Sequence, residues 1–153
     1  ALGLLKLSFI TFFIIMPYRM FSGGFHLHTH IGCIISTCTF YCGVAFLSKT
    51  IVLDSIAKYV LVAIITVFGI IMIKLYAPAD TEDVPILSSK IRKQKQILSY
   101  VTFIIGLILA LFIKDNVICN IIIFGYFVQT CMITRLAYKL TKNKYGYEVY
   151  ESA

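Results

Sequence analysis

Residues 59–76 read YVLVAIITVFGIIMIKLY, eighteen positions with one charged side chain, Lys74. Crossing the ~30 Å hydrocarbon core of a bilayer as a helix takes about 20 mainly apolar residues. This stretch meets that need, and it can reach back to Ile51 through Asp54 and Lys58. Four more runs share its character. Ala1–Met16 is broken only by Lys6, Ser8 and Thr11 and is expected to end at Pro17. Ile31–Leu47 is rich in Cys, Ser and Thr, with a helix start expected about one turn earlier. Ile97–Ile113 and Val117–Tyr138 complete the set. None alternates with the period of a strand, so helices are favoured over a barrel. The sequence predicts an all-α polytopic transmembrane helical bundle with about five spanning segments, forming a single transmembrane domain over residues 1–153. There is no internal repeat and no separate soluble domain. The chain opens on Ala1 inside an apolar run, and a further upstream segment is expected.

Composition agrees. Hydrophobic residues make up 59% of the 153 and charged residues 14%, against about 45–50% and about 25% in soluble domains. A chain of this length has no soluble core large enough to hide so much apolar surface, so a lipid bilayer is its expected partner. The formal net charge is +7, and the basic residues gather at Lys90–Lys95 and Arg135–Lys144, each beside an apolar run. Clusters so placed mark a cytoplasmic membrane face. Nucleic acid is excluded as a partner, because no basic-aromatic surface stands clear of the hydrophobic segments. Alternating the spans from a cytoplasmic tail at about 139–153 puts the Lys114–Asn116 turn outside and a loop at about 77–95 inside. The turn at Ser48-Lys49 is then outside and the loop at about 17–30 inside. The expected location is the cell membrane, multi-pass, with the second of these loops and its chemistry facing the cytoplasm. Five cysteines, all in apolar runs and without a CxxC pair, argue against a disulfide framework.

Chemistry concentrates in RMFSGGFHLHTHIGC, residues 19–33, where three histidines and a cysteine fall within eight positions at the mouth of an apolar helix. Ionisable groups at membrane depth are costly unless solvated or paired, so they point to function. On one straight helix His26, His30 and Cys33 share a face, but the Cα atoms of His26 and Cys33 lie roughly 10.5 Å apart along the axis, and His26 leans away from Cys33. Two arrangements relieve this. His30 can partner Cys33 as an i,i+3 neighbour. Alternatively, His26 lies in a loop that folds back at Gly23-Gly24, with Thr29 as N-cap and Cys33 near the first turn, where the positive helix end favours a thiolate. Three chemistries compete: a packing cysteine with solvated histidines, a zinc site from His26, His30 and Cys33 that lacks a convincing fourth ligand, and an activated cysteine nucleophile.

The pattern Arg19-x-x-x-Gly23-Gly24-x-His26, with Cys33 seven residues on, resembles the accessory gene regulator B family. A second block, Tyr76–Pro85, resembles that family's proline- and aspartate-containing loop, and a basic stretch follows it at Lys90, Arg92, Lys93 and Lys95. The resemblance implies a membrane-embedded cysteine endopeptidase of Gram-positive quorum sensing. Such an enzyme removes the C-terminal part of an amphipathic signal propeptide and holds the rest as a thioester until it cyclises to a thiolactone or lactone. It also implies His26 and Cys33 as the catalytic pair, and so selects the fold-back over the His30 pairing. No cofactor is implied.

Other residues are expected to support this pair. Arg19 could bind a substrate carboxylate or hold the loop. Asp80 could orient His26 or shape a turn, and Lys90, Arg92, Lys93 and Lys95 could attract an acidic propeptide tail or lipid headgroups. Cys38 and Cys42 are expected only to pack. Asp54 and Lys58 read as an i,i+4 ion pair. A homodimer would suit a small enzyme cradling an amphipathic substrate. The competing classes are a peptide transporter or channel, which would be expected to show paired broken helices in related halves, and a metal-binding membrane protein.

Overall fold

A computed structural model describes residues 2–27 and 29–150. Five apolar runs become five helices: α1 Leu2–Ser22, α2 His30–Thr50, α3 Ser55–Tyr76, α4 Ser89–Phe112 and α5 Asn116–Met132. Two short helices follow, α6 Arg135–Leu140 and α7 Gly146–Tyr150. There is no strand among the described residues. The first four helices are each long and apolar enough to cross a membrane, and α5 is a shorter apolar helix of 17 residues. The protein is thus a multi-pass membrane helical bundle.

Helix α5 is the axis. It touches α1, α2, α3 and α4, and its polar residues Asn120, Gln129 and Thr130 are all buried. Each finds a partner, as a low-dielectric interior requires. Asn120 Nδ2 donates to the carbonyls of Ser48 and Ile51 at 3.3 and 2.7 Å. Thr130 shares a 3.0 Å hydrogen bond with the hydroxyl of Tyr18. On the outer helices, large apolar side chains such as Phe9, Phe13, Ile34, Ile64, Val67 and Ile108 face outward, as a lipid-solvated surface demands.

Four details depart from the sequence expectation. Helix α1 does not stop at Pro17 but continues to Ser22. Proline removes one N–H bond, yet leaving the helix beside lipid would free several backbone groups. The turn after it is secured by Tyr18, fully buried between the rings of Phe103 and Tyr126. Helix α4 begins at Ser89 and not at Ile97, because Lys, Arg and Gln are good helix formers and carry the helix beyond its apolar part. The run Val117–Tyr138 is cut after Met132, and Thr134 caps a new helix, α6, by accepting from the Ala137 N–H. Asp54 and Lys58 do not pair: Asp54 caps α3 by accepting from Ala57 N, and Lys58 Nζ donates to the Ile113 carbonyl.

The α1–α2 loop, the α3–α4 loop and the segment after α5 meet at one end of the bundle, joined by hydrogen bonds from Gly24 to Ala79 and from Asn143 to His26. Close helix approach sets that geometry. A Cβ added at Gly69 would lie 2.1 Å from the ring of buried Phe103, and one at Gly106 would lie 2.3 Å from Tyr126. Overpacking of this kind costs about 1–3 kcal/mol. Gly69→Ala is expected to lower the thermal midpoint of the detergent-solubilised protein accordingly; an unchanged midpoint would mean that α3 and α4 do not approach at Gly69.

Candidate active site

At the end of α1 the chain leaves the helix through Gly23 and Gly24, whose φ angles are +74° and +145°. These are conformations that glycine adopts without steric cost. The exposed backbone then pairs with the second loop. Ala79 N–H donates to Ser22 O at 2.8 Å and Gly24 N–H donates to Ala79 O at 2.9 Å, a short parallel bridge. There is no room for a side chain at Gly23, since its Cβ would sit 2.3 Å from the Ala79 carbonyl oxygen. From the other side Gln129 Nε2 donates to Gly23 O at 2.8 Å and to Ser22 Oγ at 3.0 Å.

The fold-back delivers His26 to Cys33. Thr29 is the N-cap of α2, accepting from Gly32 N–H at 3.2 Å, and the Cys33 N–H makes the first helical bond, to Thr29 O, at 2.9 Å. The cysteine therefore stands just after the first-turn N–H groups, which lack helical acceptors. His26 Nδ1 lies 3.8 Å from its Sγ. This is long for a committed hydrogen bond and ordinary for a nucleophile–base pair without substrate. His26 is exposed on one side and Cys33 is half-buried. Partial burial, and then the positive charge of Arg19, hold the His26 imidazole below the usual histidine pKa range, with Asp83 pulling weakly the other way. His30 begins α2 as an exposed residue, and His28 lies outside the described residues. Among those described, no three His, Cys, Asp or Glu side chains are close enough to share a metal ion.

Arg19 is held from the loop's far side, donating to Gln129 Oε1 at 3.2 Å and contacting Met132 Sδ at 3.1 Å. Asp80 does not hydrogen-bond His26. Its Oδ2 accepts from Arg92 at 2.7 Å and from Ile86 N–H at 3.0 Å, and its side chain is only 1% exposed. Arg92 thus serves the loop and not the surface, whereas Lys90 and Lys93 are exposed and half-buried Lys95 joins the wall of the cleft. That cleft holds about 240 Å³ and is lined by Arg19, Gly23, Gly24, His26, Asp80 and Lys95 among others. Cys38 and Cys42 are exposed on the lipid-facing part of α2, Cys42 within 3.5 Å of Ser8 Oγ.

Sequence reasoning missed the residues beyond α5. Tyr138 donates its hydroxyl to the carbonyls of Ala79 and Asp80, both at 3.0 Å. Tyr145 stacks on Tyr138 with ring centroids 4.0 Å apart. The density of tyrosine at 138, 145, 147 and 150 was the available signal.

A membrane bundle with a thiol and an imidazole in contact at the mouth of one helix, the imidazole lining a cleft between two loops, defines a class: polytopic membrane proteins with a cysteine–histidine pair at one face. Within that class the chain belongs to the accessory gene regulator B family, whose model matches residues 1–133. It is 28% identical over 136 residues to a putative AgrB-like protein of Listeria innocua, covering 87% of this chain and 64% of that protein. A putative AgrB-like protein of Listeria welshimeri is 27% identical over 154 residues, covering 99% and 72%. One from Listeria monocytogenes is 36% identical over 87 residues, covering 55% and 43%. The chain therefore aligns with only part of each relative. No solved structure matches it.

The buried ion pair gives a test of how the second loop is held. Arg92→Met strands the Asp80 carboxylate, and removing one partner of a buried pair costs about 3–5 kcal/mol. Because Arg92 keeps partial solvent access, the lower end is expected, read as a fall in the unfolding midpoint in detergent. A midpoint equal to wild type would show that Asp80 does not depend on Arg92.

Proposed function

We propose that the protein is a cysteine endopeptidase that cleaves the C-terminal part from an amphipathic quorum-sensing propeptide at the cytoplasmic face of the cell membrane. The observation that carries this reading is the 3.8 Å approach of His26 Nδ1 to Cys33 Sγ, made by a loop that Gly23, Gly24 and Ala79 fold back. Family membership supports it, as does the basic character of the loop-bearing end, with Lys90, Lys93 and Lys95 available to an acidic propeptide tail.

The chemistry follows from the pair. Neutral His26 takes the thiol proton, and the Cys33 thiolate attacks the carbonyl carbon at the cleavage point. The C–N bond breaks, the leaving amine receives the proton from His26, and the retained peptide stays on Cys33 as a thioester. A cysteine or serine side chain of that peptide then gives its proton to His26 and attacks the thioester carbonyl, breaking the C–S bond to Cys33 and releasing a thiolactone or lactone while Cys33 leaves as thiolate and recovers the proton from His26. First-turn N–H groups of α2 are the donors available to the oxyanion.

Incubating the purified protein with a panel of short amphipathic propeptides tests this. Wild type should yield a hydroxylamine-sensitive acyl adduct on Cys33. Cys33→Ser should lower cleavage by at least about a thousandfold and His26→Ala by about 10²–10⁴-fold. Cleavage by Cys33→Ser at the wild-type rate would sink the assignment.

The pH profile is a second test. His26 must be neutral to act as base, and both burial and Arg19 disfavour its imidazolium. Activity should therefore persist below the pH at which an ordinary histidine, of pKa about 6.5, would protonate, and be lost only as pH falls through the lowered value. Arg19→Gln removes one of the two lowering causes, so the acid limb of kcat/KM should move to higher pH. A limb that stays in place or moves lower would overturn His26 as the base.

A further inference from the structure

The segment beyond residue 133 lies past the end of the family model's match, yet it closes over both loops of the site. Tyr138 holds the carbonyls of Ala79 and Asp80. Tyr145 donates to Ile133 O at 2.9 Å and stacks between neighbouring tyrosine rings, while the Arg92 guanidinium sits 4.6 Å from the centre of the Tyr147 ring. Lys142 adopts a left-handed φ of 55°, a reversal uncommon for a residue with a side chain. The residue after it, Asn143, is buried and turned onto the first loop, where its Nδ2 donates to the carbonyl oxygen of His26 at 2.7 Å.

The position of this bond matters. The loop is tied at its start by Gly23 and Gly24 and at its end by Thr29, which caps the helix that carries Cys33. His26 lies between these ties, and Asn143 grips its backbone. Asparagine suits the place because its amide has two N–H donors. One goes to His26 O and the other to Thr141 Oγ1 at 2.9 Å, and the Asn143 N–H is itself fixed to Tyr138 O at 2.9 Å. Aspartate has the same shape and no such donors.

We propose that Asn143 is a positioning residue for the Cys33–His26 pair, and that the folded C-terminal segment is the clamp that carries it there. This rests on reading that pair as the reacting dyad. The clamp makes the imidazole's placement depend on residues 134–147, so the segment is part of the site and not a solvated tail.

The test is alkylation of the full-length protein in detergent by iodoacetamide at neutral pH, with each cysteine followed by peptide mass spectrometry. His26→Ala should slow Cys33 by roughly tenfold, as loss of an activating imidazole does. Asn143→Asp should slow Cys33 by about three- to tenfold through misplacement of that imidazole, while buried Cys119 stays as slow as in wild type. In a His26→Ala background, Asn143→Asp should slow Cys33 no further, because its effect passes through His26. Equal slowing with and without His26 would mean a structural role only and would overturn the proposal. An Asn143→Asp protein with the wild-type Cys33 rate, alongside a slowed His26→Ala, would overturn it and leave the dyad standing. Should His26→Ala itself leave Cys33 unchanged, the dyad reading falls and the positioning role with it. If Asn143→Asp exposes Cys119, Tyr138→Phe, which keeps the ring and loses its two carbonyl bonds, carries the same comparison with the same outcomes.

Discussion

Backbone that leaves a helix at the edge of a membrane must find its hydrogen bonds inside the protein, and at Ser22–Gly24 it finds them on Ala79 and Gln129. An unsatisfied group there would cost several kcal/mol in an apolar setting. Much follows from that constraint. The bridge to Ala79 joins the two loops, so the cleft has two walls. The amide of Gln129 ties the same loop to α5, the helix touched by all four others. His26 reaches Cys33 because the chain turns back at this point.

Among the described residues, the charges near the site act on balance against a protonated His26. Arg19 is held by neutral acceptors, Gln129 Oε1 and the Met132 sulfur, and its positive charge bears on His26. Asp80, the carboxylate that could have raised the imidazole's basicity, is instead committed to Arg92 and the Ile86 N–H. The result is a histidine biased towards the neutral form, the state that accepts a proton. In the same way Arg92 leaves the set of surface cations and becomes part of the loop's framework, braced by Tyr147.

The tyrosines of the last segment connect packing to chemistry. Tyr138 and Tyr145 are buried and stacked, and burial disfavours ionisation of both hydroxyls. They act as neutral donors to backbone carbonyls that no helix satisfies. Aromatic rings with one polar tip suit such a place, since the ring fills space while the hydroxyl completes a hydrogen bond.

The sequence alone determined the class of fold, because five long apolar runs in 153 residues leave no alternative to lipid as solvent. Local chemistry also offered the cap at Thr29 and the fold-back at Gly23-Gly24, through a hydroxyl before a helix and two residues free to take positive φ, but as one of two arrangements, and the choice over a His30 pairing came from the family resemblance. Pro17, Lys90–Lys95 and Thr134 were misread as boundaries, or missed as one, because helix ends depend on what satisfies the freed backbone groups, and those partners are distant in the chain. Only the tertiary structure decided that Asp80 turns to Arg92 and not to His26, that Gln129 braces the loop, and that Asn143 holds His26 across 117 residues of chain. A hydrogen bond is specific in distance and direction, and no local pattern encodes which two remote groups will meet that geometry.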